Sequence, residues 1–301
     1  MVEWMADYSI YKLPDDPEFW TEDRIAKAFD DPELTHRRNI IMLKYSTPNN
    51  IDKALDDKEV NIRYYATIHP NASVDNLSKA LKDEAGHIRV AAINHKNSIP
   101  AFVDIAIDDS YFECRKAAVS HKYATTFHID KVLNDIDIEV RIAAISNKKA
   151  TSSQIDKALA DKNEDVRIAA LKNKNATAAN IEKALMDPNK DVRNTATKHK
   201  NITIALLMQS FKNKEVIIRK SAVMHRKATA SLIEIALDDK NENVRLSAIK
   251  NKNATADNID KALNDTSIKV KLAIIKHPNA TEKQKEQVTN DPDIIAYLLK
   301  K

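Results

Sequence analysis

Arginine recurs in this chain at a fixed interval. Arg37, Arg63, Arg89, Arg115, Arg141, Arg167, Arg193, Arg219 and Arg245 occupy every twenty-sixth position without slippage, and Lys271 takes the tenth place. A strict period of this length marks a repeat protein, in which each repeat buries its apolar face only against its neighbours. Residues shared between repeats are therefore explained first by stacking.

Composition decides the kind of repeat. One glycine in 301 residues argues against sheets, which need glycine at turns and bulges. An all-helical chain with short connections follows. Apolar residues make up 43% and aromatic residues 5%, so the core is built from Ala, Ile, Leu and Val. The formal charge of +4 is too balanced to demand a nucleic-acid partner. The lone cysteine, Cys114, leaves no disulfide framework or cysteine-based metal cluster within the chain. It precedes Arg115 where other repeats carry valine, which suits a small buried hydrophobe. The first residues lack a basic region followed by an apolar run, and no stretch is suited to span a bilayer. The expectation is a cytoplasmic protein without membrane association.

The repeat from Asp161 to Met186 reads DKNEDVRIAALKNKNATAANIEKALM. Val166, Ala169, Ala170 and Asn173 share one helical face, and Ile181, Ala184 and Leu185 share another. Between them stands Thr177, whose counterparts are Thr125, Thr151, Thr203, Thr229, Thr255 and Thr281. A threonine there can cap the second helix, and Thr151…Gln154 and Thr281…Gln284 have capping-box spacing. Each repeat is thus helix A, tight turn, helix B, tight turn, with helices of about ten residues, or roughly 15 Å. Six residues before most of these arginines stands an aspartate; Asn213, before Arg219, is the break. Asp161 with Arg167 and Asp187 with Arg193 are rungs of an ion-pair ladder expected to be structural, since a half-buried guanidinium needs a fork-shaped partner.

The run D-x-x-x-x-V-R-x-A-A at Asp161–Ala170 resembles the core of HEAT repeats. The whole repeat, with its N-x-x-A-T turn, is more similar to the leucine-rich repeat variant. The resemblance covers about residues 25–298 and implies a right-handed α-solenoid of about ten repeats, with the second helix partly 3₁₀. Some members of that family carry an iron–sulfur cluster on a cysteine-bearing N-terminal segment; this chain has no such cysteines, so no cofactor is expected. The expected organisation is an N-terminal cap at 1–24 closed by Trp4, Phe19 and Trp20, repeats at 25–280, and a C-terminal cap at 281–301. Ten repeats would make a curved rod on the order of 90 Å long, with helices about 8–10 Å apart.

Six residues after the arginines runs a second ladder: His69, His95, His121, Asn147, Asn173, His199, His225, Asn251 and His277. Metal ligands about 2 Å from one ion cannot come from repeats stacked nearly 10 Å apart, so no metal is expected. These side chains are expected to end helix A, bonding its last carbonyls; a pH response is the other reading. One residue on is a basic column of Lys96, Lys122, Lys148, Lys174, Lys200, Arg226 and Lys252, thickened by Lys149 and Lys227. It could follow a phosphate backbone, or serve capping and solubility. Outward acid–lysine pairs on helix B, such as Asp130-Lys131 and Asp260-Lys261, read as a solvated face.

Deviations from the repeat say more than its consensus, because stacking does not explain them. Fourteen of the sixteen aromatics lie at or before Phe127. Tyr64 and Tyr65 replace an aliphatic–Ala pair, Tyr111 and Phe112 occupy a B-to-A turn, Tyr123 and Phe127 flank the next A-to-B turn, and Pro100 disturbs a helix B. Such aromatics are favoured anchors at protein interfaces, and they also fill bulky cores. The chain holds no Gly-rich phosphate loop, no G-x-S-x-G and no H-E-x-x-H. The expectation is a non-enzymatic scaffold for a protein partner bound through the aromatic N-terminal repeats, with nucleic-acid binding along the lysine column as the alternative.

Overall fold

The computed structural model describes residues 16 and 18–299. Trp4, expected in an N-terminal cap, lies outside the described residues. Among these residues there are 22 helices, from Glu22–Ala28 to Pro292–Leu299, and no strand. They fall into two compact units, Met1–Ala150 and Thr151–Lys301. Within each unit the chain is an α-solenoid: helix A packs on helix A of the next repeat, and on its own helix B.

The helices are shorter than the periodicity suggests, seven to nine residues rather than ten. The cause is the turn. His69, His95 and His121 end their A helices in extended backbone, which starts the next connection at once. Helix B is α rather than partly 3₁₀: the amides of Leu55 and Leu81 bond the carbonyls of Ile51 and Leu77, four residues back. Thr177 accepts the Asn180 amide while Asn180 returns a bond to the Thr177 amide. The same box forms at Thr47–Asn50, Ser73–Asn76, Thr151–Gln154, Thr255–Asn258 and Thr281–Gln284. The boxed side chain also reaches back one repeat, as when Asn76 Nδ2 donates to the Pro48 carbonyl at 3.0 Å. Pro100 does not disturb its helix. It is the first residue of helix Pro100–Ala106, where no intrahelical donor is lost.

Small residues let the repeats close up. In the first unit Ile62, Ile88, Cys114 and Val140, each one residue before an arginine, are fully buried, as are Ala66, Ala92, Ala118 and Ala144. Helix B contributes Ile51, Leu77, Val103 and Ile129. The second unit repeats the scheme with Val244, Ala248, Ile259, Ala262, Val270 and Ile274 in one cluster. Burial pushes the Cys114 thiol up to about 12, so it is an inert core group.

The aspartate ladder forms with a register of its own. The arginines take their carboxylates from the following repeat, 20 residues on, not from the aspartate six before. Arg63 Nε donates to Asp83 at 2.7 Å, Arg89 to Asp109 at 2.7 Å and, in the second unit, Arg167 to Asp187 at 2.7 Å. The aspartate six before supplies only its main-chain carbonyl, as Asp161 does to Arg167. Each carboxylate also accepts the amide two residues on, such as Ala85 on Asp83. Burial alone would raise these carboxyls, but the arginine and amide bonds outweigh it and hold Asp83, Asp109, Asp135 and Asp239 below the ordinary range. Asn213 keeps the amide-accepting role, and Glu215 supplies the missing charge to Arg193 at 2.6 Å. The spacing also continues past Lys271: its ammonium meets Asp291 at 2.7 Å, and helix Pro292–Leu299 follows with Ile294 buried.

Candidate functional site

A surface can carry function where its residues have no task in the stack, and the histidine ladder has one. The His69 ring accepts the Asn71 amide on Nδ1 at 3.1 Å, and its Nε2 lies 3.0 Å from the Leu43 carbonyl. A ring that accepts on Nδ1 and donates from Nε2 is neutral. His95 bonds the Asn97 amide and the His69 carbonyl in the same way, and His277 the Asn279 amide and the Asn251 carbonyl. Asparagine substitutes because its amide has the same polarity: Asn147 Oδ1 accepts the Lys149 amide while Nδ2 donates to Val119. These side chains thus clamp a carbonyl of the preceding repeat, rather than the end of their own helix. Burial pushes His69, His95, His121, His199 and His225 below the ordinary histidine value. Among the described residues no three His, Cys, Asp or Glu side chains converge on a metal-sized site.

A second clamp lies two residues further on. Asn71 Nδ2 donates to the carbonyls of Lys44 and Ser46, and Asn253 to those of Arg226 and Ala228. Lys149 and Lys227 take this position, and their ammonium groups donate to the carbonyls of Lys122 and Ala124 and of Ile202. Tyr45 and Tyr123 are the exceptions, with neither an amide nor an ammonium for that place. Helix B lysines are also engaged: Lys79 bridges to Asp56 at 2.7 Å and Lys261 to Asp238 at 2.6 Å. These pairs join successive repeats, 23 residues apart, on the solvated face expected from sequence, with Asp56 70% and Asp238 69% exposed.

The aromatic residues do not gather into one cluster. Tyr64 and Tyr65 sit edge to face on helix Val60–Ile68, ring centres 5.9 Å apart, and Tyr64 also meets His87. With Ile68, Pro70, Val90 and Ala91, Tyr64 lines an open groove of 660 Å³ on the helix A face. Tyr111 packs elsewhere. Its ring covers Gly86, where an added Cβ would fall 2.3 Å from it, which accounts for the one glycine of the chain. Phe112 stacks edge-on against Tyr111 at 5.6 Å. Tyr123 lies against His121 and beneath Lys122, and Phe127, 67% exposed, stands on a B helix near Lys131.

The basic column is fully on the surface: Lys96, Lys122, Lys148, Lys174, Lys200, Arg226 and Lys252 are all exposed. A second column, missed in the sequence reading, lies two residues before it. Lys172, Lys198, Lys250 and Lys276 stand at the ends of their A helices, with Met224 at the remaining place. Their period was legible, but only the fold shows that they share a surface with the first column.

No protein-family profile matches the sequence, and no curated protein is similar to it. Among solved structures, one described as a leucine-rich repeat variant with a novel repetitive structural motif is 18% identical. It covers 85% of this chain and 98% of its own, with a TM-score of 0.58. The E. coli protein YibA is 15% identical and covers 97% of this chain and 98% of its own. The CpcE–CpcF complex of phycocyanin lyase from Nostoc sp. PCC7120 is 17% identical and covers 94% and 98%. The TM-scores of these two, 0.23 and 0.25, carry no argument. No helix among the described residues is long and apolar enough to cross a membrane. The solenoid of short two-helix repeats deduced from the arginine period thus shares its fold with a solved leucine-rich repeat variant.

Proposed function

We propose that the chain is a non-enzymatic scaffold for a protein partner, docked on the helix A face of the first unit. The observation that carries this reading is the groove at Tyr64. Its lining has no part in the ion-pair or carbonyl-clamping ladders, apart from His95, and it is largely apolar. Ile68 is 42% exposed there, and Met42, at the same position of the preceding repeat, is 60% exposed. Aliphatic side chains at the wet end of a helix gain nothing from stacking, and an apolar partner segment would remove them from water. An amphipathic helix or extended peptide with a bulky side chain fits a groove of this size.

Capture from a lysate with the full chain as bait, with and without nuclease, tests the reading. A partner retained after nuclease treatment and lost from Tyr64→Ala and Ile68→Lys, while both variants keep the parent unfolding transition, is the expected result. Capture that is unchanged in both variants, or abolished by nuclease, sinks it.

A further inference from the structure

The helix A face of the second unit differs from that of the first in a way that stacking does not explain. Five residues past the ladder arginine, the first unit carries Met42, Ile68, Asn94, Ser120 and Ser146. The second carries Lys172, Lys198, Met224, Lys250 and Lys276. If helix capping or solubility required a cation here, the first unit would have one. Seven residues past the arginine the second unit adds Lys174, Lys200, Arg226 and Lys252, so two cation columns run side by side. Among the described residues none of these eight forms an ion pair, in contrast to Lys183 and Lys261 on helix B, which bridge to Asp156 and Asp238. Acids on the same A helices, such as Asp165 and Asp191, sit in the first turn, about 10 Å from the lysines of the last turn.

The columns converge at one place. Lys198, Lys200, Lys220 and Arg226 line an open groove of 490 Å³ whose apolar lining is Ile217 and Met224, and no carboxylate among the described residues borders it. The histidines beneath feel this charge. His199 and His225 are held below their ordinary value by burial and also by Lys200, Lys227 and Arg226.

We propose that this face binds the phosphate backbone of duplex nucleic acid, with the Lys198–Lys200–Lys220–Arg226 groove as its strongest contact. Unpaired cations at a regular spacing are what phosphate contacts need, and they carry no base readout. A duplex is favoured over a single strand because single-strand sites stack bases on aromatic rings. The second unit has only Phe211 and Tyr297, on other helices. The proposal is independent of the partner groove in the first unit.

Fluorescence anisotropy with a labelled 30-base-pair DNA of arbitrary sequence and the purified full chain tests it. Binding should weaken steeply between 50 and 200 mM KCl, with a log–log slope of about −4 if some four phosphates are neutralised. The triple variant Lys198→Gln, Lys200→Gln, Arg226→Gln should lose at least about tenfold in affinity, and its slope should shrink by about one per cation removed. Lys79→Gln with Lys261→Gln, on the paired helix B side, should bind like the parent. No binding at 50 mM KCl, or a triple variant that binds like the parent, overturns the proposal. So does tighter binding to a single strand of equal length or to polyglutamate.

Discussion

Arg89 grips Asp109 through two hydrogen bonds of 2.7 Å, and the two residues belong to consecutive repeats. The contact therefore acts on the interface between repeats, not on the fold of either one. With side chains only 13% and 12% exposed, neither charge can be left alone cheaply.

Asp109→Ala should destabilise the protein by about 3 kcal/mol in urea unfolding, since it strands a mostly buried guanidinium. Lys79→Ala breaks an inter-repeat pair of similar length, but Asp56 is 70% exposed there, and the loss should stay below about 1 kcal/mol. Equal losses at the two sites would show that the arginine ladder is no more than a surface feature.

Gly86→Ala should destabilise despite the better helix propensity of alanine. The new methyl collides with the Tyr111 ring at 2.3 Å, and overpacking costs about 1–3 kcal/mol against a propensity gain of at most about 1. In a Tyr111→Ala background the same change should become neutral or stabilising. A double-mutant cycle by thermal unfolding measures the coupling, and additivity would refute it.

The histidine ladder makes stability depend on pH. Burial depresses His69, His95, His199 and His225 in the folded state, so near pH 6 the unfolded chain binds more protons than the folded one. Their contribution is complete above the unfolded value of about 6.5 and is lost as pH falls through and below it. His95→Asn should keep the fold, as Asn147 does at its own rung, while flattening the stability profile between about pH 7 and 5. An unchanged profile in the His95→Asn, His199→Asn double variant would count against this assignment.

Tyr123→Asn should stabilise by about 1 kcal/mol. It restores an amide at the place where Asn71 and Asn253 clamp two carbonyls of the preceding repeat. Chemical denaturation of the variant is the check, and a lower midpoint would mean that the Tyr123 ring contributes more than the clamp.

Periodicity made the architecture legible because a solenoid uses the same contacts again at every turn. Arg167, Asp187, Thr177 and Ala170 each announce a role by recurring at the same place in most repeats. The chain alone left open which repeat supplies each partner. Asp83 lies six residues before Arg89 and gives it only its main-chain carbonyl, while stacking brings its carboxylate to Arg63 of the repeat before. Lys149 shows the same limit. In sequence it belongs to a basic run, whereas in the fold its ammonium lies over two carbonyls.

The candidate surfaces divide in the same way. Tyr64, Tyr111 and Phe127 read alike as aromatic departures from the consensus, but packing assigns one to a groove, one to a glycine and one to solvent. Local sequence determined the two-helix repeat, its caps and its buried alanines, because those depend on spacing of a few residues along one helix. Only the tertiary structure decided which charges are neutralised and which remain free, because that depends on side chains 20 to 23 residues apart being brought within 3 Å.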